Sequence, residues 1–233
     1  MKRLTIFAML LRLLVGMFLG FLLIDCDKSS GNEPDLNDDD FNSLPCSVGS
    51  IDEARLISTC EGCEGVLEFP GPDINHIDTL PGFDDAEIKL KVTGKVYKSG
   101  GTEPACGVVL YIYHTNKDGV YPTKGDETGW GQRHGYLRGW IKTNEEGEYT
   151  FYTLKPGNYD GPAHIHPIIF EPNGKYYWID DYWFADDPLV TKEEIESLGG
   201  LGGGGNVLEL IQEGELSVGY RDIELGKNVP GYE

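Results

Sequence analysis

Tyr149-Thr150-Phe151-Tyr152-Thr153-Leu154-Lys155-Pro156-Gly157-Asn158-Tyr159-Asp160-Gly161-Pro162-Ala163-His164-Ile165-His166-Pro167-Ile168-Ile169-Phe170 is the stretch from which the fold is read. Two runs rich in β-branched and aromatic residues, 149–154 and 163–170, are separated by a cluster of Pro, Gly, Asn and Asp. That is the pattern of two strands joined through a turn-rich connection. In a strand, alternate residues face the same side, so His164 and His166 can present both imidazoles to one point. A tyrosine hydroxyl, that of Tyr159, arrives from the preceding turn, and together they outline a metal site.

The same signature recurs outward from this stretch. Strand-like runs occupy 88–97, 108–113, 136–143 and 175–179, and beyond a glycine-rich loop at 199–205 two more occupy 207–211 and 216–225. Helix is expected only at 191–198, opened by a threonine with acidic residues in its first turn and closed by glycine. The 233 residues are 39% hydrophobic, with 32 glycines and 13 prolines, enough for one substantial core built from short strands and turns. The expectation is an all-β fold over 88–233, a two-sheet β-sandwich with long loops and little helix.

Residues 1–25 read as a signal peptide. Lys2 and Arg3 precede an apolar stretch whose uninterrupted part, 13–24, suits a secretory core and is short for a membrane span. Cys26 directly after it resembles the lipid-modified cysteine of a bacterial lipoprotein, although Asp25 departs from the small residue usual before that cysteine. An exported, lipid-anchored envelope protein is therefore expected, with the membrane reached only through Cys26. Residues 26–45 read as an acidic tether, and 46–87 as an irregular, cysteine-containing lead-in. Cys46, Cys60, Cys63 and Cys106 form an even set that favours up to two disulfides in an exported chain. Cys60-Glu61-Gly62-Cys63 lacks both the second ligand pair of a zinc site and the βαβ setting of a thioredoxin-like motif.

The formal net charge is −20. A surface of that sign repels phosphate backbones, so nucleic acid is not an expected partner.

A lone His-x-His in a β protein is more often coincidence than a site, so its neighbours decide. Tyr121 follows a second turn, Lys117-Asp118-Gly119-Val120, and Tyr159 precedes the histidines by a few residues. Two phenolates and two imidazoles form a hard, anionic set suited to ferric iron. Each tyrosine has the alternative of being an ordinary half-buried ring with a satisfied hydroxyl. A cupin site would pair His164 and His166 with Glu171 and add a histidine from a later strand. The other histidines, His76, His114 and His134, all come earlier.

At the level of whole motifs the sequence resembles the intradiol ring-cleavage dioxygenase family, of the catechol and protocatechuate dioxygenase kind, in its exported bacterial form. The resemblance runs in order through Leu90-Lys91-Val92-Thr93-Gly94-Lys95-Val96, Gly107-Val108-Val109-Leu110-Tyr111-Ile112-Tyr113, Gly119-Val120-Tyr121, Leu137-Arg138-Gly139-Trp140, Thr143-Asn144-Glu145-Glu146-Gly147, Lys155-Pro156-Gly157-Asn158-Tyr159 and Pro162-Ala163-His164-Ile165-His166. It implies a sandwich of the intradiol dioxygenase type. It also implies a non-haem Fe(III) held by Tyr121, Tyr159, His164 and His166, with Tyr159 the ligand that leaves and takes a proton as substrate arrives. The implied reaction uses O₂ to cut a catechol-type ring between its two hydroxylated carbons, giving a muconate-type diacid.

One position departs from the family. Gly161 stands three residues before His164, where members carry an arginine that stabilises the electron-rich ring. Arg133 and Arg138 are the candidates to supply that charge. The departure permits an alternative, a dioxygenase-like module that holds iron or a catechol-type ligand such as a siderophore without turnover; a separate alternative is a metal-free transthyretin-like binding sandwich.

Overall fold

The computed structural model describes residues 46–233; the leader, Cys26 and the acidic tether lie outside them. Numbered along the chain, the first sheet contains β1 (Arg55–Leu56), β4 (Val109–His114), β5 (Arg138–Lys142), β7 (His164–Phe170), β8 (Lys175–Trp178), β9 (Tyr182–Phe184) and β10 (Val207–Leu208). The second contains β2 (Ile77–Thr79), β3 (Lys89–Tyr97), β6 (Glu148–Leu154), β11 (Ile211–Glu213), β12 (Leu216–Tyr220) and β13 (Ile223–Glu224). The order in the first is β1-β8-β7-β4-β5, with β9 also on β7 and β10 on β9. In the second it is β11-β12-β3-β6-β2, with β13 on β3. Helix is confined to α1 (Gly131–His134) and α2 (Lys192–Ser197), among the described residues, besides 3₁₀ turns at Ile51–Glu53 and Cys63–Glu68. The architecture is the all-β, two-sheet sandwich expected.

Alternation along each strand explains the core. Leu90, Val92 and Val96 on β3, Tyr149 and Phe151 on β6, Leu110 and Ile112 on β4, and Ile165 and Ile169 on β7 all point between the sheets and are fully buried. Burial of such side chains stabilises by roughly 1.5–3 kcal/mol each, before the cost of ordering the chain. The residues between them face outward. On the first sheet this outer face carries Val109, Tyr111, Ile168 and Phe170, and a second apolar cluster forms there against Cys63 and Val66.

Residues 46–87, mostly without regular structure, pack onto the sandwich and add two short strands to it. Arg55–Leu56 pairs with β8, Ile77–Thr79 pairs with β6, and the 3₁₀ turn at Cys63–Glu68 covers the outer face of the first sheet. Periodicity could not reveal such short strands, because a pair of residues has no period to read. Cys60 and Cys63 form a disulfide, while Cys46 and Cys106 are free thiols in hydrogen-bond contact, so one of the two possible bridges is present.

Other boundaries move for identifiable reasons. The run 216–225 divides into β12 and β13 because Arg221 turns inward, buried, and donates to Asp180 O at 2.6 Å and Leu201 O at 3.2 Å. The run 136–143 shortens to β5, since His134 and Gly135 end a helical turn just ahead of it. Helix α2 lies within 191–198 as expected, with Thr191 Oγ1 accepting from Glu194 N at 3.2 Å. β9 follows too closely on β8 to be separated by sequence pattern, and it proves important for the site.

Candidate metal centre

The site is built on the outer face of β7. With Ile165 and Ile169 directed into the core, His164 and His166 necessarily face the other way, onto the side covered by residues 59–69. Strand register supplies their neighbours. β4 sets Tyr113 opposite His166, and the two rings stack with centroids 4.6 Å apart. β9 pairs His164 with Trp183 and Ile165 with Tyr182, which brings Asp181, one residue before β9, against His166. Its Oδ1 lies 2.9 Å from His166 Nδ1.

The two tyrosines come from turns that pack backbone to backbone. Gly157 N donates to Asn116 O at 2.9 Å, and a Cβ on Gly119 would stand 2.1 Å from Asn158 O. Gly119 also has φ +71°, a left-handed conformation that suits glycine. Through this contact the Tyr121 and Tyr159 rings meet edge to face at 5.3 Å. Tyr159 is half exposed, whereas Tyr121 reaches inward and its Oη lies 2.9 Å from His166 Nε2.

The hydrogen-bond pattern argues for a cation at this point. His164 Nδ1 is 2.7 Å from Pro162 O, and His166 Nδ1 faces the Asp181 carboxylate, so each ring has its proton on Nδ1 and a bare lone pair on Nε2. Those two Nε2 atoms are 3.0 Å apart. Two lone pairs and a phenol oxygen directed at one spot leave the rings poorly satisfied among themselves, and a metal ion relieves this. Burial and the nearby Asp181 and Tyr159 push the Tyr121 phenol well above its ordinary range, so its ionisation depends on a neighbouring positive charge. The His164 imidazole is held low by burial and by His166, which keeps it neutral and able to ligate. Neutral imidazoles and a phenolate fit ferric iron. Asp181, on the Nδ1 side of His166, is placed to orient that ring as a carboxylate partner.

Of the residues expected from sequence, Tyr121, His164 and His166 bring their donor atoms together, whereas Tyr159 meets only the Tyr121 ring among them and, with it, Arg133, Tyr113, Trp130 and His134, lines a cleft of about 330 Å³. Arg133 is mostly exposed and pairs with Glu61 from the Cys60–Cys63 loop. Arg138 lies a layer behind, where its Nη1 donates to Glu68 Oε2 at 2.6 Å and its guanidinium also bonds the Tyr111 hydroxyl. A side chain built on Gly161 would meet nothing within 4 Å. Sequence reasoning missed Asp181, Tyr113, His134 and Glu61. Only strand register could have found the first two, and Glu61 and His134 depend on how the disulfide loop folds back.

A family model described as "Dioxygenase" matches residues 73–218. The chain is 30% identical over 118 residues to the protocatechuate 3,4-dioxygenase beta chain of Burkholderia cepacia, covering 46% of this chain and 49% of that one. It is 36% identical over 128 residues to catechol 1,2-dioxygenase of Candida albicans, covering 47% and 41%. It thus spans about half the length of these curated relatives. Among solved structures, an intradiol ring-cleavage dioxygenase from Tetranychus urticae matches with a TM-score of 0.50 at 24% identity, covering 67% of this chain and 88% of that one. The 3-chlorocatechol 1,2-dioxygenase of Rhodococcus opacus matches with a TM-score of 0.50 at 20% identity, covering 67% of each chain.

Proposed function

The chain belongs to the intradiol ring-cleavage dioxygenase family, and from that premise we propose that it is a non-haem ferric dioxygenase cleaving a catechol-type ring between its two hydroxylated carbons with O₂. The single observation carrying this reading is the convergence of Tyr121 Oη, His164 Nε2 and His166 Nε2 with both Nδ1 atoms already engaged. Tyr121, Tyr159, His164 and His166 would hold the iron, which when bound would supply Lewis acidity toward a catechol and draw electron density from its ring.

The protein's own groups do the rest. Tyr159, half exposed at the cleft, is the ligand free to move, and its Oη accepts a proton from the incoming catechol. Asp181 and the Pro162 carbonyl keep the two imidazoles in the ligating tautomer. Tyr113 and Trp130 wall the cleft and limit water. Arg133 provides the positive charge that Gly161 does not. A ring-opened diacid is the product.

A second reading is favoured by Gly161 alone: the site binds iron and a catechol ligand without turnover. Oxygen uptake with the iron-loaded chain and catechol separates the two. Stoichiometric uptake with a muconate-type acid supports the enzyme, and binding without product leaves the module.

A further inference from the structure

One pair of cysteines is used neither by the metal centre nor by the disulfide loop. Cys46 and Cys106 are far apart in sequence, yet the backbones around them touch. A Cβ on Gly107 would stand 2.4 Å from Ser47 O and 3.1 Å from the Cys46 carbonyl carbon. Gly107 has φ +73°, so a glycine permits the close approach that brings its neighbour Cys106 against Cys46. The two thiols are in hydrogen-bond contact, and both are partly exposed, within reach of a soluble oxidant.

Two other roles for the pair fit poorly. A structural zinc site takes four ligands, and the one group of three or more convergent His, Cys, Asp or Glu side chains among the described residues is His164, His166 and Asp181. A reactive cysteine needs a stabilised thiolate, whereas burial, and then the hydrogen bond with Cys106, push the Cys46 thiol up to about 12. A disulfide carries neither the proton nor the charge, so it removes the cost of crowding two sulfurs together.

The path of the chain shows what such a bridge would hold. From residue 46 onward the segment runs over the outer face of the first sheet. Val48 packs into the second apolar cluster, Arg55–Leu56 joins β8, and Glu61 and Glu68 reach Arg133 and Arg138 beside the metal centre. An opening that begins at residue 46 peels this cap away from its N-terminal side. A bond from Cys46 to Cys106, just ahead of β4, ties that side to the strand that carries Tyr113.

We propose that Cys46 and Cys106 form a second disulfide, and that this bridge fastens the cap of the metal centre. The oxidant is a low-molecular-weight or protein disulfide. The thiolate of one cysteine attacks a sulfur of the oxidant and releases its first thiol; the other cysteine then attacks the mixed disulfide and releases the second. Two electrons and, through solvent, two protons pass to the oxidant, which becomes two thiols. The bridge needs neither iron nor catechol, so it stands or falls apart from the dioxygenase reading.

The test exposes the full chain to glutathione disulfide, alkylates the remaining thiols and maps the non-reduced tryptic peptides by mass spectrometry. Trypsin places Cys46 in 29–55, Cys60 and Cys63 in 56–89, and Cys106 in 99–117, so each pairing gives a distinct product. Peptide 29–55 joined to 99–117, with 56–89 carrying its own bridge, is the expected result. Cys46 and Cys106 left alkylated, held as glutathione adducts or joined to other cysteines overturn the proposal. Hydrogen exchange tests the fastening through the Arg55 and Ile57 amides, which donate to Gly174 O and Tyr176 O. Both should exchange at least about 10-fold more slowly in the bridged chain than in Cys106→Ala, which keeps Cys60 and Cys63. Cys46→Ser, which breaks the bridge from its other side, should match Cys106→Ala. Equal rates in all three forms overturn the fastening.

Discussion

Asp181 Oδ1 stands 2.9 Å from His166 Nδ1, on the ring edge away from Tyr121 Oη, which lies 2.9 Å from Nε2 of the same imidazole. On the proposed ligand set the carboxylate backs the His166 ring, and its oxygen also lies within 4.8 Å of ring nitrogens of His164 and His166. It fixes the tautomer and increases the donor strength of Nε2. Asp181→Asn is expected to lower iron affinity by about 10–100-fold with the fold retained, measured by competition with a chelator. Full affinity in the variant would remove Asp181 from the site.

Tyr121 is the phenol held closest to the histidines. Tyr121→Phe should strip the iron-loaded chain of most of its visible charge-transfer absorption and lower iron occupancy. An undiminished band would show that the phenolate donor lies elsewhere.

The two arginines should separate cleanly. Arg138 is a partly buried clamp on Glu68 and Tyr111, and its removal leaves both without their charged partner. Arg138→Ala is expected to cost about 2 kcal/mol of stability, reduced from the fully buried case by its residual exposure. Arg133→Ala, on an exposed pair with Glu61, should leave stability unchanged and weaken turnover of bound catechol. Denaturant melts and steady-state rates on both variants decide this, and equal effects of the two on turnover without loss of stability would contradict the assignment.

Stability should also depend on pH through two buried histidines. Burial above all, with the neighbouring His166 imidazole adding to it, holds His114 and His134 at about 4, below the ordinary value of 6.5. The unfolded chain takes up protons from about pH 6.5 downward while the folded chain does not until about 4. Their contribution is therefore intact above 6.5 and is lost as pH falls through that window, by up to about 1.4 kcal/mol per pH unit per group. Urea midpoints between about pH 7 and 4.5 should fall more steeply in wild type than in His114→Gln. Parallel slopes would show that His114 does not titrate this way.

How much of this was legible in the sequence follows from what kind of signal each residue carries. The alternation of 149–154 and 163–170, and with it the outward direction of His164 and His166, is a period of two and can be read directly. Tyr121 and Tyr159 were legible because turn residues and ordered motifs surround them. Asp181 was not, since its place opposite His166 comes from the pairing of β9, three residues long, with β7. The strands within 46–87 were hidden for the same reason. Arg133 and Arg138 are both candidates in sequence, Arg138 with a structural alternative because it sits in a family motif, and their pairing with Glu61 and Glu68 tells them apart.

The central claim is a ferric site with tyrosine ligation that receives a catechol, and the visible spectrum of the iron-loaded chain before and after catechol tests it most directly. The account predicts a broad tyrosinate-to-iron band that shifts when catechol is added without oxygen. A colourless chain that takes up no iron, or a band indifferent to catechol, would contradict it.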